Sequence, residues 1–124
     1  MELTPVSPSG RQIIEGYSAR GFRVAGVTYA RSILVFPDAI LEWDVGGIDT
    51  VTAEALRPVI ERGGIEILLL GCGARMRPVS ASVRQALKAA GVSLEPMDTG
   101  AACRTYNVLL AEDRRVAAAL LLPV

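Results

Sequence analysis

The sequence predicts an α/β fold. It is a single domain, in which an N-terminal antiparallel β meander is followed by β-α-β-α-β and a central mixed sheet is covered by helices. Three observations carry this expectation. The first third holds short β-branched and aromatic segments. The remainder alternates near-continuous apolar runs with stretches of helical period. Gly, Pro and Asp punctuate the joints between them. A chain of 124 residues makes one domain, and that size buries roughly two-thirds of the surface its unfolded chain exposes.

Residues 1–12, with Pro5, Ser7, Pro8, Ser9 and Gly10, predict an extended arm, leaving 13–124 as the domain. Strands are expected over 13–17 and 22–27, separated by a turn at Arg20-Gly21, and over 32–36, stopped by Pro37-Asp38. Residues 40–45 alternate Ile40, Glu42 and Asp44 with Leu41, Trp43 and Val45. That period predicts a strand with one wet face, and it places Trp43 in the core.

The period then changes. Thr52 is an expected N-cap, with Glu54 in the first turn and Leu56, Val59 and Ile60 at helical spacing. Pro58 falls inside that run and predicts a short or kinked helix. Residues 65–70 read as a central strand buried on both faces. Ser82 with Gln85 resembles a capping box for a helix carrying Val83, Ala86, Leu87 and Ala90 and ended by Gly91. Residues 92–97 predict a second buried strand, 100–115 a third helix and 116–122 a final strand.

Composition narrows the chemistry. Hydrophobic residues make up 51% of the chain and charged ones 21%, with thirteen basic side chains balancing thirteen acidic ones. Zero net charge argues against nonspecific binding to nucleic acid or to an anionic membrane, both driven by surplus Lys and Arg. There is no histidine, which removes Ser-His-Asp and Cys-His catalysis and His-ligated zinc. Two cysteines, Cys72 and Cys103, are too few for a Cys-rich zinc site. No metal and no cofactor are implied. Residues 1–11 carry an acid, two prolines and no apolar core, so no signal peptide is expected. The apolar runs at 67–70 and 116–124 fall far short of the ~20 residues that span a bilayer. A cytoplasmic protein without direct membrane insertion is expected. Twelve arginines against the single Lys88 fit a GC-rich bacterial gene.

In an open α/β sheet, ligands gather beyond the carboxyl ends of the strands. Gly71, Cys72 and Gly73 follow one expected strand, while Asp98 and Thr99 follow another and lead into the third helix. Glycine-turn amides and a helix start could cradle an anion; equally, the glycines only let the chain turn beside a neighbour. Along the helix, Cys103, Tyr106, Leu109 and Leu110 form the apolar face, and Arg104 and Asn107 project from another. Either Arg104 pairs with Asp98 while Asn107 satisfies loop carbonyls, or the two line a pocket for a carboxylate or a partner's backbone. Positive partial charge near a turn or helix start would lower the pKa of Cys72 or Cys103. For Cys103, a place on the apolar stripe points instead to a free buried thiol.

The stretch over residues 97–120, MDTGAACRTYNVLLAEDRRVAAAL, is similar to the signature of the adipogenesis-associated Mth-domain family. Its specific part is Arg104-Thr105-Tyr106-Asn107 with Glu112 and Arg115. Ile14-Glu15-Gly16-Tyr17, Trp43 and Leu69-Leu70-Gly71-Cys72-Gly73 add to it, so the likeness runs over nearly the whole chain. That family includes a mitochondrial respiratory complex I assembly factor. The resemblance implies a single α/β domain with a central mixed sheet. It also implies a helper role through protein partners, membrane-complex subunits among them, and it brings no catalytic residues.

The leading expectation is therefore an uncharacterised bacterial protein acting as a non-enzymatic interaction or complex-assembly factor. The alternative is a small-anion-binding protein or enzyme with its pocket at the strand C-terminal ends. Its site would use Gly71, Cys72, Gly73, Asp98, Thr99, Arg104 and Asn107. A redox sensor built on Cys72 is a third reading, removed if that thiol has an ordinary pKa near 8.5. Unpaired meander edges would also permit a homodimer.

Overall fold

The computed structural model describes residues 11–123. All but the last two residues of the expected arm, and the chain's final residue, lie outside them. Gln12 donates its N–H to Pro37 O at 2.9 Å, and the Arg11 guanidinium bonds Leu110 O and, at 3.0 Å, Asp113.

Among the described residues, eight strands form two sheets. The first sheet is the meander β1 (Ile14–Ser18), β2 (Gly21–Val24) and β3 (Val27–Tyr29), paired antiparallel in the order β1-β2-β3. The single strand expected over 22–27 is broken by a tight turn. Ala25 and Gly26 have φ of 48° and 83°, the left-handed pair that a two-residue hairpin demands. Because alanine seldom adopts that conformation, the turn carried only half of its usual signal.

The second sheet has the order β5-β4-β8-β6-β7. It is built from β4 (Ile33–Phe36), β5 (Ala39–Glu42), β6 (Ile67–Gly71), β7 (Ser93–Met97) and β8 (Val116–Leu120). β6 runs parallel to both β7 and β8, while β4 is antiparallel to β5 and β8. The sheet is thus mixed, as expected. The meander ends at β3, however, and the β4–β5 hairpin belongs to the main sheet.

Two cores lie on opposite faces of this sheet. Leu34, Phe36, Leu68, Leu70, Ala117 and Ala119 face α1 (Arg57–Arg62) and α2 (Ala81–Ala89). Ile33, Val35, Leu69, Val116, Ala118 and Leu120 face the other way, onto α3 (Thr99–Ala111) and the meander. This alternation within β4, β6 and β8 is the period-2 rule of a strand buried on both sides. Small side chains at Ala117, Ala118 and Ala119 bring both layers close to the central strand.

Several expected boundaries move. β7 is an edge strand, partly exposed rather than buried. Glu95 and Pro96 suit that place, since a charge and a missing N–H both discourage further pairing. In the hairpin, Leu41 is 45% exposed while Ile40 packs against the second core, so the dry face expected for Leu41, Trp43 and Val45 is not formed. β5 stops at Glu42, and Trp43 enters the core independently, donating its indole N–H to Ala55 O at 2.8 Å.

Thr52 Oγ1 accepts from Ala55 N at 3.1 Å, as an N-cap would. The segment nevertheless splits into a 3₁₀ turn (Glu54–Leu56) and α1, with Pro58 in the first turn of α1, where its missing N–H costs no bond. Ser80 caps α2, not Ser82: its Oγ accepts from Val83 N at 3.4 Å. α3 ends at Ala111, four residues early. There Asp113 turns to φ 60° and Arg114 N bonds back to Leu109 O at 3.0 Å, a left-handed cap that closes the helix.

Candidate functional site

The ends of β6, β7 and β8 meet the start of α3, and Thr99 is the knot. It is fully buried. Its Oγ1 donates to Leu121 O at 2.7 Å and accepts from Gly73 N at 2.9 Å. Its own N–H donates to Gly73 O at 2.9 Å. One side chain thus ties the segments following β6 and β8 to the helix start. Gly71, the last residue of β6, makes the approach possible. A Cβ there would stand 2.9 Å from Thr99 Oγ1 and 3.0 Å from a Leu120 methyl, closer than packed carbons tolerate.

These contacts decide what the glycine turn offers a ligand. Cys72 N donates to Met97 O at 2.8 Å and Gly73 N to Thr99, so both amides are already engaged. The Asp98 carboxylate caps α3 by accepting from Ala101 N at 3.0 Å, which complements the partial positive charge of the helix start. The Cys72 thiol is buried and faces two carbonyls, Arg77 O at 3.4 Å and Leu70 O at 3.6 Å.

Arg104 and Asn107 stand apart from this knot, over β1. Arg104 is exposed, and it donates to the Tyr17 hydroxyl at 2.6 Å. The expected Arg104–Asp98 pair is not formed, because Asp98 turns to the helix amides and Arg104 reaches outward to the meander. The Tyr17 ring lies on Gly100, where a Cβ would come within 2.9 Å of its hydroxyl. Asn107 serves backbone as anticipated, though on a strand rather than a loop: it accepts from Ile14 N at 2.9 Å and donates to Ile14 O at 2.7 Å. Around it, Ile13, Tyr17 and Val108 are exposed to 39%, 40% and 56%.

The lowered thiol pKa expected near the helix start is reversed at Cys103. Burial pushes it up to about 12, against the pull of the Arg104 charge and reinforced by Asp98. The thiol is buried with Ala102 and Tyr106 in the second core, where a thiolate would be poorly solvated. Cys72 and Cys103 are both free thiols.

A cleft of about 430 Å³ opens where the segments after β6 and β8 end. Of the expected site residues, only Cys72 and Gly73 line it, together with Trp43, which the sequence placed in the core. The rest of the wall includes Arg31, Ser32, Asp44, Gly46, Gly47, Arg77, Leu121 and Leu122. Sequence reasoning missed these because the antiparallel pairing of β4 with β8, which carries Ser32 to this end of the sheet, leaves no local mark. Among the described residues, no group of three or more His, Cys, Asp or Glu side chains gathers as a metal site, and no helix is long and apolar enough to cross a membrane.

Residues 14–121 match the family described as protein of unknown function (DUF498/DUF598). The chain belongs to the DUF498 family. Among its relatives, NADH dehydrogenase [ubiquinone] 1 alpha subcomplex assembly factor 3 of Danio rerio is 40% identical over 93% of this chain and 67% of its own length. In the Xenopus tropicalis and Drosophila melanogaster proteins of that name, the matched region spans 61% and 59% of the length. An uncharacterised protein of Rhodobacter capsulatus is 40% identical over 96% of this chain and 93% of its own. The solution structure of a Bordetella pertussis protein, a Mth938-like domain, superposes with a TM-score of 0.83 at 28% identity, covering 99% of this chain and 93% of that one. The DUF498 fold is therefore the Mth-type α/β domain that the resemblance implied.

Proposed function

We propose that this DUF498 protein is a non-enzymatic interaction factor that helps assemble a larger protein complex. The observation that carries the reading is its 40% identity over 93% of the chain to an animal protein named as an NADH dehydrogenase [ubiquinone] 1 alpha subcomplex assembly factor. The chemistry of the junction supports it. The polar groups there make internal bonds, with Thr99 joining strand ends, Asp98 capping and Asn107 bonding Ile14. The Cys103 thiol is held protonated. The exposed side chains Ile13, Tyr17 and Val108, with Arg104 among them, give a partner apolar area and one hydrogen-bonding cation. The partners belong to a protein assembly, membrane-complex subunits being the class that the relatives suggest, and the protein works from the cytoplasmic side without inserting.

The test is affinity capture with mild cross-linking from the native cell, comparing wild type with Arg104→Ala. Arg104 is exposed, so the variant keeps the fold, which circular dichroism checks. Specific subunits recovered with wild type and depleted with Arg104→Ala are the expected result. Recovery of nothing beyond the tagged protein, in repeated captures, sinks the assembly reading.

A further inference from the structure

We infer that the cleft between the Trp43 segment and the ends of β6 and β8 binds a small organic anion that carries an apolar body. Its volume of about 430 Å³ lies within the roughly 300–1,000 Å³ of small-molecule sites. Two arginines line it, Arg31 and Arg77. Their carboxylate partners are distant: Arg31 is 3.9 Å from Glu42 and Arg77 is 3.8 Å from Asp49, and all four side chains are half-exposed or more. Charge-assisted hydrogen bonds are about an ångström shorter, so both forks keep their donors available to an arriving anion. Among the described residues, Asp44 is the one acid on the wall.

Part of the wall is apolar and fixed. Leu121 and Leu122 follow β8, and Trp43, 5% exposed where it meets the cleft, is held in place through its indole N–H to Ala55 O. The cleft lies at the carboxyl ends of parallel strands, the usual place for ligands in such sheets. The anionic head is a carboxylate or a phosphate ester held by the arginine forks, and the apolar body lies against Trp43 and the two leucines. This site is separate from the Tyr17–Arg104 surface, and it stands or falls independently of the assembly role.

Trp43 is the chain's only tryptophan, so its fluorescence reports this cleft directly. Wild type is titrated at constant ionic strength with hexanoate, hexyl phosphate and neutral hexanol. A saturable change in Trp43 emission with either anion and none with hexanol is expected. The tighter of the two anions assigns the head group. In Arg77→Gln or Arg31→Gln the Kd should rise about tenfold or more, one charge-assisted contact being lost. In Arg57→Gln, on α1 and outside the cleft, it should not move. Both cleft arginines are at least half-exposed, and an unchanged Tm confirms that each variant folds. A non-saturating change through the millimolar range, equal binding of hexanol, or an unaltered Kd in both cleft variants overturns the proposal.

Discussion

The side-chain amide of Asn107 bonds both backbone polar atoms of Ile14, accepting from its N–H at 2.9 Å and donating to its C=O at 2.7 Å. A helix residue thereby does at β1 what a neighbouring strand would do. β1 is an edge of the meander, and without Asn107 both Ile14 groups would lack a partner in a half-buried site. Asn107→Ala should therefore cost about 1–3 kcal/mol, the usual penalty for orphaned buried polar groups. Asn107→Asp should also destabilise, because it keeps the acceptor but sets a carboxylate against Ile14 O. Urea denaturation reads both, and stability equal to wild type in both variants would mean that the Ile14 groups find other partners.

Thr99→Val removes one oxygen and keeps the shape. It leaves Leu121 O and Gly73 N without their partner at the point where the ends of β6 and β8 meet α3. With about 1–3 kcal/mol per buried orphan, partly offset by relaxation, a loss of about 2–4 kcal/mol is expected. Thr99→Ser keeps the hydroxyl and should cost about 1 kcal/mol, the worth of a buried methyl. Equal losses in the two variants would show that packing, not the hydroxyl, holds the junction.

Much of this junction was legible in sequence, though for reasons of architecture. Gly71, Cys72, Gly73, Asp98 and Thr99 do cluster, because each lies at or just past the carboxyl end of a parallel strand and parallel neighbours end together. Arg104 and Asn107 separate from them because helical period tells which residues share a face but not what the face meets. Their partners, Tyr17 and Ile14, lie 87 and 93 residues away in the chain. Arg31 was invisible for the same reason. The β4–β8 pairing that brings residues 31 and 32 beside Leu121 is long-range, and no local pattern encodes it. The Ala25-Gly26 turn escaped notice on purely local grounds, since alanine at φ 48° carries no compositional warning.

The buried thiol of Cys103 makes stability depend on alkaline pH. Its pKa is raised by burial from about 9 to about 12. Below pH 9 both folded and unfolded chains hold the proton, and there is no effect. Between about 9 and 12 the unfolded chain has lost it while the folded chain retains it. Stability then falls as pH rises, at a slope of at most roughly 1.4 kcal/mol per pH unit from this group. Cys103→Ala removes that contribution, so denaturation curves between pH 8.5 and 11 should decline less steeply in the variant, whatever its cavity costs. Parallel curves would place the thiol in contact with solvent.

Tyr106 sits one turn along the same stripe, fully buried, and its hydroxyl has no hydrogen-bond partner among the described residues. Burial raises its pKa, with the Arg11 charge opposing and Asp38 adding to the shift. A buried hydroxyl without a partner opposes folding, because its bonds to water are lost and not replaced. Tyr106→Phe keeps the ring that fills the second core and deletes only that oxygen. The variant should thus be as stable as wild type or more stable by about 1 kcal/mol, the reverse of what losing a structural hydrogen bond would do. Chemical denaturation at pH 7, where neither the thiol nor the phenol titrates, isolates the effect. A loss above about 1 kcal/mol would show that the hydroxyl is bonded in solution, and Arg11 beside it would then be the first donor to examine by Arg11→Gln in the same background.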